Sequence, residues 1–218
     1  MFSHQEIHRA LHLKNFDGRA AQMKMAPVPR TIDRSPDKQG SPRIGAVLLM
    51  LYVKNDTLSL LLIKRQKNLQ YHPGQISFPG GRQEHGEPLL RTSLRETEEE
   101  VGISPEELTV LAPLEAVYIP PSDFIVHPFV ARHNGAPVFH HDPKEVDHII
   151  EVPVSELFKP ESRAADASPH NKPYSVLPYF KIDAHRVWGA TAMILSEFVE
   201  RLKAAKTADN EKRLHRPG

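Results

Sequence analysis

Between Gly80 and Ile103 the sequence concentrates side chains able to do acid, base and metal chemistry. Glu96, Glu99 and Glu100 stand at i, i+3 and i+4, so on a helix they share an arc of about 100°. Like charges so placed repel one another by a few tenths of a kcal/mol per pair in water, and by more when partly buried. Arg95 lies at the edge of the arc, with Arg91 farther off, so neutralisation from within the helix is incomplete. A hard divalent cation such as Mg²⁺ does it better, because it prefers carboxylate oxygens, retained waters and phosphate oxygens. A bare Glu98-Glu99-Glu100 run reads by itself as a solvated acidic face, and the surroundings tilt the balance. Gly80-Gly81 ends a short apolar stretch ahead of a loop carrying Glu87. Backbone without a Cβ can approach a metal or a phosphate closely there. On the other side, Lys64, Arg65, Lys67 and Arg82 offer cations, unless they are merely a solvated strand end. An acidic face opposed by a basic approach suits a metal-bridged diphosphate.

These residues need a helix and a β-rich frame to hold them. Pro88 suits a first helical position and Gly102 the residue just past the last turn, so a helix over 88–101 is expected. Leu90, Leu94, Thr97 and Val101 fall within about 60° of one another and form its core-facing stripe, roughly 135° from the carboxylates. Ile44–Val53 and Leu58–Ile63, joined by Asn55-Asp56, read as a hairpin. Further strands are expected at Ile76–Phe78, Leu108–Leu114, Glu115–Ile119, Phe124–Arg132 and His148–Val152. A capping box at Ser3 and Glu6 opens an accessory N-terminal helix. The stretch 27–43, with Pro27, Pro29, Pro36 and Pro42, reads as a wrapping arm. Leu195, Phe198, Val199 and Leu202 mark an amphipathic helix from Thr191. The expected organisation is a helix and Pro-rich arm at 1–43, one domain at 44–205, and a polar, disordered tail at 206–218.

Composition excludes several classes. The chain has 218 residues, 39% hydrophobic and 25% charged, with a net charge of +1, so no global field recruits nucleic acid or an anionic membrane. It contains no cysteine, which removes disulfides, thiolate metal sites and thiol nucleophiles. The longest apolar run, Ile44–Val53, is about half a bilayer span. The N-terminus has no basic-then-apolar leader pattern, and a cytoplasmic protein is expected. Thirteen histidines, with His133, His140, His141 and His148 near one another in sequence, match no reliable zinc spacing and read as surface or loop residues. Trp188 reads as core ahead of a stacking platform.

The run Gly81, Glu87, then Arg95-Glu96-Thr97-Glu98-Glu99-Glu100-Val101-Gly102-Ile103 resembles the Nudix box, G-x5-E-x7-R-E-U-x-E-E-x-G-U with U apolar. Thr97 is its one departure. It sits on the buried stripe, where its methyl can pack and its hydroxyl can bond back to a carbonyl. The resemblance implies an α+β Nudix fold, a mixed β-sheet sandwiched between α-helices, and hydrolysis of a nucleoside-linked diphosphate. It also implies Mg²⁺ or Mn²⁺ held by Glu96, Glu99 and Glu100 with a carbonyl of Gly80 or Gly81, Glu96 and Glu99 carrying catalysis. Arg95 would orient the box carboxylates, and Glu87 would support them or an outer metal. The general base of such enzymes comes from the helix or from a later loop. Asp142 and Glu145 are the loop candidates, Glu145 being preferred.

A wider stretch, Leu61-Leu62-Ile63-Lys64-Arg65 followed by Gly74-Gln75-Ile76-Ser77-Phe78-Pro79-Gly80-Gly81, resembles the additional motif of coenzyme A pyrophosphatases. Ile63, Gln66 and Gln70 depart from it. Gln70 replaces an arginine, and a guanidinium suits the phosphates of coenzyme A better than an amide. Tyr118–Phe124, Val126–Phe129 and Val187–Ala192 also look like that family. The resemblance implies cleavage of coenzyme A or its thioesters to 3′,5′-ADP and (acyl-)phosphopantetheine, with Lys64, Arg65, Gln75 and Arg82 binding substrate. The alternatives are another nucleoside diphosphate derivative (ADP-ribose, a dinucleotide or an oxidised nucleoside triphosphate), or a non-catalytic nucleotide sensor, which the intact carboxylates disfavour. The expected partner is a nucleotide-type small molecule, with no nucleic acid and no membrane. The sequence does not fix an oligomeric state, and a homodimer is compatible with it.

Overall fold

Alternating apolar residues on two long strands divide the core into two halves. The computed structural model describes residues 2–29, 38–69, 71–167 and 175–214. Gln70, residues 30–37 of the Pro-rich arm and the last residues of the tail lie outside them. In chain order the elements are α1 (His4–Leu11), α2 (Gly18–Met23), β1 (Arg43–Lys54), β2 (Thr57–Arg65), β3 (Ile76–Ser77), β4 (Gly80–Arg82), α3 (Leu89–Val101), β5 (Leu108–Pro113), β6 (Val117–Ile119), β7 (Phe124–His133), β8 (Val146–Pro153), β9 (Arg163–Ala167), β10 (Val176–Ile182), β11 (His185–Trp188) and α4 (Gly189–Leu214).

On β1, Leu48, Met50 and Tyr52 point to one side, where Val101 and Ile103 at the end of α3 meet them. Leu49 and Leu51 point to the other, into the half formed by α1 and α4. β2 splits the same way, with Leu61 and Ile63 toward α3 and Leu58, Leu60 and Leu62 toward α4. This is the two-residue period of a strand buried on both faces. The main sheet is mixed: β1 runs parallel to β7 and antiparallel to β2 and β4. With helices on both faces the class is α+β, as expected.

The hairpin turn is a two-residue one, with Asn55 and Asp56 both at positive φ (47° and 58°) between paired Lys54 and Thr57. The capping box forms as well, the Ser3 amide donating to Glu6 Oε2 at 2.7 Å and the Glu6 amide to Ser3 Oγ at 3.2 Å. α1 is more than an accessory, since Ile7, Ala10 and Leu11 are buried in the main core.

Three features depart from the sequence reading. A three-stranded antiparallel sheet, β9–β10–β11, occupies a stretch where no strand was expected. α2 is also new; its Asp17 cap accepts from the Ala20 amide at 2.8 Å. α4 begins at Gly189 and runs to Leu214, through much of the expected polar tail.

Candidate active site

The carboxylate helix α3 runs from Leu89 to Val101, with Pro88 one position outside it and Gly102 in the left-handed conformation at φ 73°. Its placement is fixed by β4. A Cβ on Gly80 (φ 149°) would sit 2.3 Å from the Ala46 carbonyl oxygen, and one on Gly81 would sit 2.3 Å from Glu96 Oε2. One glycine is required by neighbouring backbone and the next by a carboxylate, so this short strand delivers α3 to the sheet edge.

The three carboxylates do not share an open face. Glu100 is 2% exposed, because β4 and the end of β2 cover the side of the helix on which it stands. Thr92, Ser93 and Thr97 are buried with it, so the packed arc of α3 is rotated toward the acids relative to the Leu90–Val101 stripe. Thr97 Oγ1 donates to the Ser93 carbonyl at 2.7 Å, as its hydroxyl was expected to.

Each acid has a defined partner. Glu100 Oε1 accepts from Arg65 Nη1 at 3.0 Å and Oε2 from the Gly80 amide at 2.9 Å. Burial pushes its carboxyl up; the Gly80 and Arg65 contacts oppose this, and the charges of Glu96 and Glu145 add to it. Glu96, half-buried, is also raised by burial, against the pull of Arg95 and with the repulsion of Glu99 and Glu145. Glu99 is the exposed member at 59%.

Arg95 ties the group together. Its Nε and Nη2 donate to the two Glu87 oxygens at 3.0 and 3.2 Å, and its Nη1 lies 2.9 Å from Glu96 Oε1 and 3.0 Å from Glu99 Oε2. Glu87 also accepts from Thr92 Oγ1 at 2.7 Å, and the Arg95 bonds lead in lowering its carboxyl to about 2. Two guanidiniums, one from α3 and one from β2, thus orient four carboxylates.

The loop after β7 is folded back onto the C-terminus of α3. The His140 amide donates to the Val101 carbonyl at 2.9 Å and the Asp142 amide to the Glu100 carbonyl at 3.1 Å. Asp142 Oδ1 is used within its own turn by the Lys144 amide at 2.9 Å. Glu145, exposed, follows this turn with its charge acting on Glu96 and Glu100.

A cleft of about 720 Å³ opens beside Gly80 and Gly81, lined by apolar side chains and reached by Arg43, Arg65, Arg82 and Gln75. Of the expected substrate residues, Arg65, Gln75 and Arg82 line it. Lys64 does not: its Nζ is 3.2 Å from Asp147 Oδ2, because neighbours along β2 face opposite ways. Trp188, expected in the core, is half-buried and lines the cleft, as does the first turn of α4. Sequence reasoning missed Arg43, Tyr71 and His72, also in its wall. Arg43 is the last residue of what read as an arm, and only its adjacency to the β1 apolar run hinted at a role.

The donors fit a hard divalent cation in kind, being carboxylate oxygens beside backbone without side chains. Among the described residues no three His, Asp or Glu side chains yet converge on one metal position, each acid being turned to a guanidinium or an amide. The repulsion that raises Glu96 is what a bound cation would relieve.

A mixed sheet flanked by helices, with a carboxylate helix set by a Gly-Gly strand, is an arrangement able to hold a divalent cation, and the comparisons give the family. The NUDIX domain family matches residues 42–174, and the chain belongs to it. The "Uncharacterized Nudix hydrolase NudL" of Photorhabdus laumondii is 32% identical over 187 residues, covering 84% of this chain and 94% of that protein. The "Peroxisomal coenzyme A diphosphatase ndx-8" of Caenorhabditis elegans is 33% identical over 124 residues, covering 56% of this chain and 53% of that protein. Among solved structures, the Nudix hydrolase RenU of M. smegmatis aligns with a TM-score of 0.53 at 14% identity, covering 78% of this chain and 92% of that one, which supports the fold. The protein is a Nudix pyrophosphohydrolase, of a class that works with divalent metals. No helix among the described residues is long and apolar enough to cross a membrane.

Proposed function

We propose that the protein hydrolyses the diphosphate of coenzyme A or its thioesters, releasing 3′,5′-ADP and (acyl-)phosphopantetheine. The observation that carries this reading is the cleft of about 720 Å³, mostly apolar and joined to the carboxylate helix through Arg65, Gly80 and Gly81. That volume lies in the range of sites for extended small molecules, and its apolar wall suits a pantetheine arm beside a charged diphosphate. The motif from Leu61 to Gly81 and the partial similarity to the C. elegans coenzyme A diphosphatase support the same substrate.

The residues divide the work. Glu96, Glu99 and Glu100, with the Gly80 backbone, would hold Mg²⁺ or Mn²⁺, which when bound neutralises the diphosphate and lowers the pKa of water. Arg95 and Glu87 orient those carboxylates. Glu145 takes one proton of the attacking water; the water oxygen bonds to phosphorus, the bridging P–O bond breaks, and the electron pair leaves on the departing phosphate. Arg82 and Arg65, the latter also holding Glu100, line the cleft and meet the phosphate oxygens, and Gln75 lines the wall.

The test is kcat/KM, with Mg²⁺ and with Mn²⁺, for coenzyme A, acetyl-coenzyme A, ADP-ribose, NADH and the dNTPs. Preference for the coenzyme A pair supports the reading, and preference for ADP-ribose or a dNTP replaces it.

A further inference from the structure

Arg43 stands apart from the other arginines of the site. Arg65 and Arg95 are ion-paired with carboxylates, whereas Arg43 has no carboxylate partner among the described residues. It is nevertheless half-buried and held in place. Its Nη2 donates to the Ser122 carbonyl at 2.7 Å, and its guanidinium lies 5.0 Å from the centre of the Tyr71 ring and 5.6 Å from that of Phe124. The nearby Asp123 is committed elsewhere, accepting from Tyr118 Oη at 3.0 Å and lying 3.7 Å from Lys38 Nζ. A guanidinium partly withdrawn from water, fixed by two rings and one carbonyl, with most of its donors unused, lines the wall of the cleft. Such a group is costly without an anion and well preorganised for one.

Its position separates it from the chemistry. Val47 pairs with Gly80, and Arg43 lies four residues earlier on β1, about 13 Å at roughly 3.3 Å per residue. The Arg43 backbone therefore stands well along β1 from a phosphate held at Gly80. His72 also lines the cleft, its Nδ1 3.1 Å from Gln75 Oε1; burial lowers its pKa, the Gln75 contact opposes this, and the charges of Arg65 and Arg43 lower it further. The cleft thus carries two guanidiniums, Arg65 and Arg43, whose charges both act on His72.

We infer that Arg43 is a second anion site, holding a non-scissile phosphate monoester on the substrate's nucleoside, which is the 3′-phosphate when coenzyme A is the substrate. This rests on the function proposed above and deepens it. It also offers a guanidinium in a sequence that has glutamine rather than arginine at position 70. A planar fork matches a phosphate monoester in bidentate fashion, which an amide at 70 cannot do.

The experiment uses the full chain and two readouts. By calorimetry, 3′,5′-ADP should bind the wild type at least tenfold more tightly than AMP, equivalent to about 1.4 kcal/mol, and Arg43→Gln should erase that difference. In turnover, Arg43→Gln should raise KM for coenzyme A about tenfold while leaving KM for dephospho-coenzyme A and both kcat values within about twofold. Arg43→Lys, which keeps the charge without the fork, should fall between. Equal effects on both substrates, or an undiminished preference for 3′,5′-ADP in Arg43→Gln, would overturn the inference while leaving coenzyme A hydrolysis standing. An Arg43-dependent preference for 3′,5′-ADP in a protein that does not cleave coenzyme A would instead uphold the anion site and overturn the proposed substrate.

Discussion

Arg65 and Glu100 form an ion pair, Nη1 to Oε1 at 3.0 Å, that joins the wall of the cleft to the carboxylate helix. The pair spans 35 residues of sequence, and both groups are largely withdrawn from water. Removing one partner strands the other as an uncompensated charge. Arg65→Met should therefore lower unfolding free energy by about 3 kcal/mol and cut kcat/KM as well, measured by urea titration and steady-state kinetics. A stability change below about 0.5 kcal/mol would show that the pair does not hold the helix.

Glu99 is the exposed member of the acidic trio, so its removal should cost chemistry without costing the fold. Glu99→Gln should reduce kcat roughly 100-fold or more with an unchanged thermal midpoint. Activity near the wild-type level would remove Glu99 from the metal set.

Gly80 and Gly81 make opposite demands. Gly80→Ala drives a Cβ into the Ala46 carbonyl from a positive-φ position and should destabilise the protein by more than about 1 kcal/mol. Gly81→Ala meets the Glu96 carboxylate first, a movable side chain. It should leave stability nearly intact and weaken activation by Mg²⁺, read as a raised metal concentration for half-maximal rate.

A buried network far from the chemistry offers a control. Glu197, fully buried on α4, lies 2.9 Å from Arg201 and accepts from Gln22 Nε2 at 2.8 Å and the Glu115 amide at 3.1 Å. Glu197→Ala should cost about 3–5 kcal/mol while leaving kcat/KM unchanged at a temperature where the variant is folded. A matched loss of kcat/KM in the folded variant would tie this network to the site.

Acid stability should report Glu200. Burial would raise its carboxyl, but bonds from Lys24 and Lys203 and the charges of Lys203 and Arg163 outweigh it, taking the value from 4.5 down to about 2. A carboxyl depressed on folding contributes stability that is complete above its unfolded value and is lost as pH falls through the folded one. Glu200→Gln should lower stability at pH 7 and flatten the acid limb between about pH 4.5 and 2. Identical acid limbs for variant and wild type would contradict this.

What was legible in the sequence was local. The Asn55-Asp56 turn, the Ser3 and Glu6 capping box and the Gly102 helix end each depend on neighbours within a few residues, and each forms. The burial of Glu100 was not legible, because helical periodicity counts glutamate as solvent-facing and only the arrival of β4 and Arg65 from elsewhere in the chain makes that side interior. Arg43 was hidden for the same reason, since Tyr71, Ser122 and Phe124 come from distant segments. Lys64 is a different case. Placing it beside Arg65 in one subsite ignored the alternation of a strand, which alone would have sent one of the two away from the cleft.

The most direct measurement is mass spectrometry of the products formed from coenzyme A with Mg²⁺ in H₂¹⁸O, with and without EDTA. The account predicts equimolar 3′,5′-ADP and phosphopantetheine, one atom of ¹⁸O in one of the two phosphates formed from the diphosphate, and no products when EDTA is present. Intact coenzyme A alongside rapid turnover of ADP-ribose or a dNTP, or hydrolysis undiminished by EDTA, would contradict it.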